Sequence, residues 1–431
     1  MLQADSLQLL CLTSSSGVPL FSRGSSKQLP FSIIGSLNGV HMFGAGHGAQ
    51  LLSCETERGS RVVWRVFQES LMLIAVSGGG GGCAISELQL RRLLDNVWNC
   101  MVMVLGQDEL ANVRNVERLK REVRSCYRLI DMLLERVSDD QGLMGHLTQC
   151  TDCLPLSNSS MVQETLDSFT QAADSEFGCL LVHGRVAQAT EKWWSRLAPQ
   201  EVVVLLTLVH SLSSSSSCDY PVFLPQGSPT VAIRLLCFQL LPGVHVCVLC
   251  GPKPSLYKAE NELVSRFWSP LLETLRSCLE QADRSILPPS LNLRWDVQAL
   301  LLINRESRRA ITVCPPVRGG APANATPLLS SHRRLELLRL FYTFAVTRYF
   351  TSEDVPVSPA SSSSEPVFED FSQGFTHVPL QCYLVTDDCK CYGLQSPQHQ
   401  LYLLTDLSVP TFALRSVATQ TLTAITAATG F

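Results

Sequence analysis

The sequence predicts an α/β protein made of three tandem α/β/α modules, each a mainly antiparallel five-stranded sheet flanked by helices. Three observations carry that expectation. Tight turns flanked by apolar segments recur near residues 16, 184 and 306, and each reads as a β-hairpin. Each hairpin is followed by a helical apolar pattern, then three short strand-like segments, then at least one further helix. Finally, 431 residues exceed one ordinary core and suit two to four domains.

In chain order, the first hairpin joins Leu7-Gln-Leu-Leu-Cys-Leu12 to Val18-Pro-Leu-Phe21. Pro30 then opens a helix over Phe31 to Phe43, a position where proline costs no hydrogen bond. Strands are expected at Ala49 to Cys54, Arg61 to Gln68 and Ser70 to Val76, ended by the glycine run Gly78 to Gly82. Two helices close the module, Ser86 to Leu105 and Val113 to Val137, the second with Val116, Leu119, Val123, Ile130 and Leu134 on one face. The second module reads as a hairpin Gly178 to Thr190 and a helix Glu191 to Leu212. Strands at Tyr220 to Leu224, Val231 to Leu241 and Val244 to Cys250 precede a helix from Ser255 to Leu279. The third has a hairpin Val297 to Cys314, a helix Pro327 to Phe350, strands at Cys382, Cys391 and Gln400, and a last helix Thr411 to Ala428. Domain limits of 1–140, 160–282 and 291–431 follow, with the Pro/Ser-rich stretch Val355 to Pro366 read as a disordered insertion.

Charged residues make up only 17 % of the chain, against roughly 25 % in typical domains. Some faces are therefore expected to be covered by protein partners. The net charge of −4 argues against nucleic acid, which demands a concentrated basic footprint. The 17 cysteines are scattered through apolar segments and are odd in number, so they read as reduced thiols in the cytosol, not as a disulfide framework. No apolar run approaches the ~18 residues of a membrane span.

The motifs with chemical meaning are outweighed by blander readings. Gly44-Ala-Gly-His-Gly-Ala49 matches a dinucleotide fingerprint, yet it follows a helix where the chemistry needs it to open one. The Gly78 to Gly82 run lacks the Lys and Ser/Thr of a phosphate loop. Cys150/Cys153 and Cys247/Cys250 are C-x-x-C pairs too far apart for a zinc site, and the second lies in a strand that sends its two thiols to opposite faces. Ser255-Leu-Tyr-Lys258 has neither companion motif of penicillin-binding enzymes. No catalytic constellation is expected, and no metal or cofactor. The strongest charge feature is Arg114, Arg118, Lys120, Arg121, Arg124 and Arg128, interleaved with Glu117 and Glu122. It reads as a solvated helix face or as a surface attracted to anionic membrane.

Hairpin, helix, three strands and two helices is the longin arrangement, common in membrane-trafficking proteins. Ser15-Ser-Gly-Val-Pro-Leu-Phe21, Leu29-Pro-Phe-Ser-Ile-Ile-Gly-Ser-Leu-Asn-Gly-Val-His-Met-Phe-Gly44 and Asn112-Val-Arg-Asn-Val-Glu-Arg-Leu-Lys120 closely resemble the Fuzzy family of planar cell polarity effectors, as do Ala189-Thr-Glu-Lys-Trp-Trp194, Asp219-Tyr-Pro-Val-Phe-Leu-Pro-Gln-Gly-Ser-Pro-Thr-Val231 and Leu414-Arg-Ser-Val-Ala-Thr419. The resemblance implies three longin domains and a heterodimer with Inturned, in a complex with the WD-repeat-containing planar cell polarity effector. It further implies binding of a Rab-like small GTPase, with guanine nucleotide exchange only as part of the heterodimer. It implies recruitment of intraflagellar transport proteins to basal bodies, phosphoinositide binding, and a place in the cytoplasm and cytoskeleton at the cilium base. The phosphoinositide surface is assigned to Arg114, Arg118, Lys120, Arg121, Arg124 and Arg128. The GTPase or partner contact is assigned to the helix Phe31 to Phe43 with Asn38, His41 and Phe43, and Phe43 reads equally well as core.

Overall fold

The computed structural model describes residues 7–24, 29–57, 59–78, 85–137, 142–156, 159–212, 216–284, 287, 291, 293–315, 329–350 and 379–431. Most of the Gly78 to Gly82 run and the whole Val355 to Pro366 insertion lie outside the described residues. The chain divides into two units, Met1–Pro288 with Arg308–Ala310, and Pro289–Ser307 with Ile311–Phe431.

In the first unit, strands β1 (Leu7–Thr13) and β2 (Pro19–Gly24) precede helix α1 (Phe31–Gly46). Strands β3 (Ser53–Glu55), β4 (Arg61–Phe67) and β5 (Leu71–Ser77) come next. The helices α2 (Glu87–Leu105), α3 (Gln107–Ala111), α4 (Val116–Glu122) and α5 (Tyr127–Arg136) close the first module. A short helix α6 (Gly145–Thr148), a two-residue strand β6 (Thr151–Asp152) and helix α7 (Ser159–Ala172) lead to the second. There, β7 (Phe177–Val182), β8 (Arg185–Ala189), α8 (Glu191–Arg196), α9 (Pro199–Leu212), β9 (Ser217–Leu224), β10 (Ser228–Leu241) and β11 (Val244–Cys250) follow in turn. A helical run completes it, with α10 (Leu256–Lys258), α11 (Ser265–Trp268) and α12 (Leu272–Arg284). The third module holds β12 (Val297–Asn304), β13 (Arg309–Val313, of which residues 311–313 belong to the second unit), α13 (Ser331–Arg348), β14 (Gln381–Val385), β15 (Lys390–Gln395), β16 (His399–Thr405) and α14 (Leu414–Thr429).

The strand orders are β2-β1-β5-β4-β3, β8-β7-β11-β10-β9 and, in the third module, β13-β12-β16-β15-β14. Each repeats one topology: the last strand of the meander sits at the centre, with the hairpin's first strand on one side of it and the rest of the meander on the other. The central strands are buried along their whole length, as in β1, β5 and β11. Such strands must be covered on both faces, which explains why their sequences are almost continuously apolar.

The first two modules share one core. Side chains of β1 and β5 that alternate onto one face (Leu9, Cys11, Leu71, Leu73) pack on α2 and α5. The same cluster continues through α9 into one face of the second sheet, with Cys179, Leu181, Leu235 and Leu249. The opposite face of the first sheet (Leu10, Leu12, Trp64, Ile74) is covered by α1. The opposite face of the second (Leu180, Leu236, Phe238, Val246) is covered by α7 and α10–α12.

Several elements differ from the sequence expectation for local reasons. The single helix expected over Val113 to Val137 is divided. Asn115 caps α4, its side-chain oxygen accepting the Arg118 N–H at 3.0 Å, and Ser125 donates to the Glu122 carbonyl at 2.6 Å, where the chain tightens into a 3₁₀ turn, Val123–Cys126. The helix expected over Glu191 to Leu212 divides before Pro199, which cannot continue a preceding helix. Glu201, 1 % exposed, accepts N–H groups of Ala198 (2.9 Å), Gln226 (2.7 Å) and Gly227 (2.8 Å), fixing this start against the β9–β10 turn. The strand expected at Ala49 to Cys54 shrinks to β3. Helix α7 had no counterpart in the reading, although Val162, Leu166 and Phe169 line one face at helical spacing.

Candidate interaction surface and the longin identity

Helix α1 contains no charged residue and buries only Ile34 and His41. Its inner side rests on the sheet: Trp64 Nε1 donates to the Leu37 carbonyl at 3.3 Å. Asn38 is half-buried against the β1–β2 turn, where a Cβ on Gly17 would sit 2.2 Å from Asn38 Nδ2. Gly17 has φ of +64°, so this turn requires glycine on both counts. His41 is buried by the same packing, and that burial lowers its pKa. The three residues chosen from sequence therefore do not form one surface. Asn38 and His41 face inward, whereas Phe43 is 70 % exposed and packs at a tilt against His47 with ring centroids 4.4 Å apart. The core reading of Phe43 is thereby replaced.

What the sequence reading missed is the composition of the outer face. At 100° per residue, Ser32, Gly35, Ser36, Gly39 and Phe43 point away from the sheet, and the exposed Phe31, Met42 and Val40 flank them. A Cβ built on Gly35 or Gly39 meets nothing within 4 Å. A mid-helix glycine costs about 1 kcal/mol relative to Ala, and neither of these is offset by close packing among the described residues. The result is a shallow channel of small residues between apolar walls, a shape that lets another backbone approach closely.

The string Gly44 to Ala49 is the end of this helix: the His47 and Ala49 N–H groups both reach the Gly44 carbonyl, and Gly48 adopts φ of +73°. Cys247 and Cys250 face opposite sides of the second sheet, as their spacing predicts. Ser255 caps α10, accepting the Lys258 N–H at 3.3 Å. Among the described residues no group of three or more His, Cys, Asp or Glu is placed to hold a metal ion.

The basic face is partly neutralised. Arg118 is bonded to Glu122 at 2.7 Å and Glu109 at 3.4 Å, and Lys120 to Glu117 at 2.8 Å. A hollow beside them is lined by Asp108, Glu109 and Glu122 as well as Arg114 and Arg118. Arg114, Arg121, Arg124 and Arg128 are exposed and make no ion pair among the described residues.

Two buried histidines set a pH dependence. His245 on β11 has its pKa lowered by burial and then by His210, and His41 by burial. In the unfolded chain both take protons near pH ~6.5. Below that value the unfolded state binds more protons than the folded state, so stability must fall as pH falls from 7 to 5. The urea midpoint should be lower at pH 5 than at pH 7, and the difference should shrink in His245→Leu.

Three sheets of one topology, each faced by helices, define a tri-longin protein. Family profiles agree: the first, second and third longin domains of FUZ, MON1 and HPS1 match residues 7–133, 173–269 and 296–429. The chain is 49 % identical over 427 residues to the protein fuzzy homolog of Xenopus tropicalis, covering 99 % of each. It is 43 % identical over 432 residues to that of Homo sapiens, covering 97 % of each, and 44 % identical over 431 residues to that of Rattus norvegicus, covering 98 % of each. The chain belongs to the Fuzzy family.

Proposed function

We propose that this chain is one half of a heterodimeric longin scaffold and that the outer face of α1 is where its partner docks. The observation that carries this reading is an uncharged helix that exposes Phe31, Val40, Met42 and Phe43 around a channel of Gly and Ser. Monomeric proteins seldom leave such a patch uncovered. A helix face serves better here than a strand edge, because β3 offers three residues for pairing. By family resemblance the partner is Inturned, joined by the WD-repeat-containing effector. The pair would act in planar cell polarity and cilium formation, binding a Rab-like GTPase and recruiting intraflagellar transport proteins to basal bodies. Nucleotide exchange by such a pair needs no acid, base or nucleophile, only tighter binding to the nucleotide-free GTPase than to the loaded one. Co-expression with Inturned should give a stable heterodimer that co-elutes on gel filtration, and two monodisperse, unassociated chains would refute the reading. Nucleotide release from candidate GTPases by the purified pair then tests exchange.

A second reading is a phosphoinositide-binding adaptor that uses Arg121, Arg124 and Arg128, which make no ion pair among the described residues. Each well-placed basic residue contributes roughly 1 kcal/mol near an anionic surface, so reversing Arg121, Arg124 and Arg128 to Glu should weaken liposome binding at least about a hundredfold. Partner binding should stay intact. Unchanged affinity for phosphoinositide vesicles would remove this reading.

A further inference from the structure

Strand register in the second sheet places four cysteines side by side. Cys218 on β9 opposes Cys237 on β10, Cys237 opposes Cys247 on β11, and Cys247 opposes Cys179 on β7. All four point into the same core, and neighbouring thiols along the row interact with one another. Their sequence positions, 179, 218, 237 and 247, contain no hint of this row. It exists because the meander and the hairpin bring four strands into one register.

The ladder hydrogen bonds identify the closest pair. The Gln239 N–H bonds the Ser216 carbonyl at 2.8 Å, and the His183 N–H bonds the Gly243 carbonyl at 2.9 Å. In antiparallel sheets hydrogen-bonded pairs recur every second residue, so Cys237–Cys218 and Cys247–Cys179 are hydrogen-bonded pairs. A strand residue turns its N–H and C=O to one side only, which makes Cys237–Cys247 a non-hydrogen-bonded pair. Such pairs have Cα atoms about 4.5 Å apart with side chains closest together, within the range a disulfide spans. Exposure is graded along the row. Cys218 lies on the edge strand and is partly exposed, whereas Cys237 and Cys247 are 5 % and 1 % exposed.

We propose that this row is a thiol–disulfide relay, in which Cys218 accepts an oxidising equivalent from a small-molecule disulfide and Cys237 with Cys247 stores it as a cross-strand disulfide. The Cys218 thiolate attacks one sulfur of the small disulfide, forms a mixed disulfide and releases one small thiol. Cys237 then attacks the Cys218 sulfur and expels the second small thiol. Cys247 attacks Cys237 next, and Cys218 leaves as the thiol. Two protein thiols are oxidised and one small disulfide is reduced to two thiols, with each thiol proton passing to a departing thiolate. Exchange at sulfur proceeds in line, and a row of thiols on successive strands presents each attacking sulfur along that line. Contact with Cys237, then burial, holds the Cys218 thiol above its ordinary range, so uptake is slow and calls for excess disulfide.

The test treats the folded full chain with excess oxidised glutathione, blocks free thiols by alkylation, and maps cross-links by peptide mass spectrometry. The expected product is a Cys237–Cys247 disulfide with Cys218 free. Cys218→Ser, at the exposed edge, should keep the parent circular dichroism and slow formation of that disulfide by about tenfold or more. In Cys247→Val the equivalent should stop as a Cys218–Cys237 disulfide. A glutathione adduct at Cys218 with Cys237 and Cys247 still alkylatable would overturn the proposal. So would an unchanged rate in Cys218→Ser, or a cross-link that forms only in urea, because each leaves the row as apolar packing.

Discussion

Phe43→Asp, alone or with Phe31→Asp, should abolish heterodimer formation while leaving the unfolding transition of the free chain unchanged. Both side chains are more than two-thirds exposed, at 70 % and 77 %, so neither contributes to the core. Aromatic anchors in a desolvated interface centre typically cost 2 kcal/mol or more on truncation, about thirtyfold in affinity, and a buried aspartate costs further. Gly39→Ala sharpens the test because its two effects have opposite signs. It should stabilise the free chain by roughly 0.5–1 kcal/mol, since an exposed mid-helix glycine is replaced by a better helix former. It should also weaken the heterodimer, because a methyl group then stands in the channel where a partner backbone would lie. Isothermal titration with the partner and urea unfolding of the free chain measure the two sides. A Phe43→Asp chain that binds normally would place the interface elsewhere.

Phe169→Ala should be the most destabilising single truncation in the second module, by about 3–5 kcal/mol. The ring is fully buried and meets Phe238, Phe267 and Trp268 edge-on, with centroids 6.4, 6.2 and 5.9 Å away. It is the point at which α7 is fastened to the sheet and to the helical run after β11. Ser168→Ala, exposed on the same helix, should change the urea midpoint little. A Phe169→Ala chain within about 1 kcal/mol of the parent would mean that α7 is dispensable to this core.

The strands were legible because burial on both faces demands near-continuous apolar runs, so β1, β11 and β12 could be read within a residue or two. Helix termini were less legible. The division of α4 from α5 turns on one Asn and one Ser that bond locally, and such bonds compete with a helical period without erasing it. Helix α7 was lost because its apolar spacing is carried by three residues among polar neighbours. On helix α1, which the sequence reading assigned to partner contact, two of the three chosen residues face the sheet. A helix that is apolar all round has no amphipathic stripe to show which side is turned inward, and only contact with β4 and the β1–β2 turn orients it.

The sequence by itself therefore determined the class, the repeat of three modules and the membership in the longin family, because these follow from periodicities and strings that local residues carry. Only the tertiary structure decided which face of α1 is open, which arginines lack an ion pair among the described residues, that two modules are joined by one core, and that four distant cysteines stand in a row. Each of these depends on how elements far apart in the chain are brought into register, and register is an outcome of packing that no local pattern encodes.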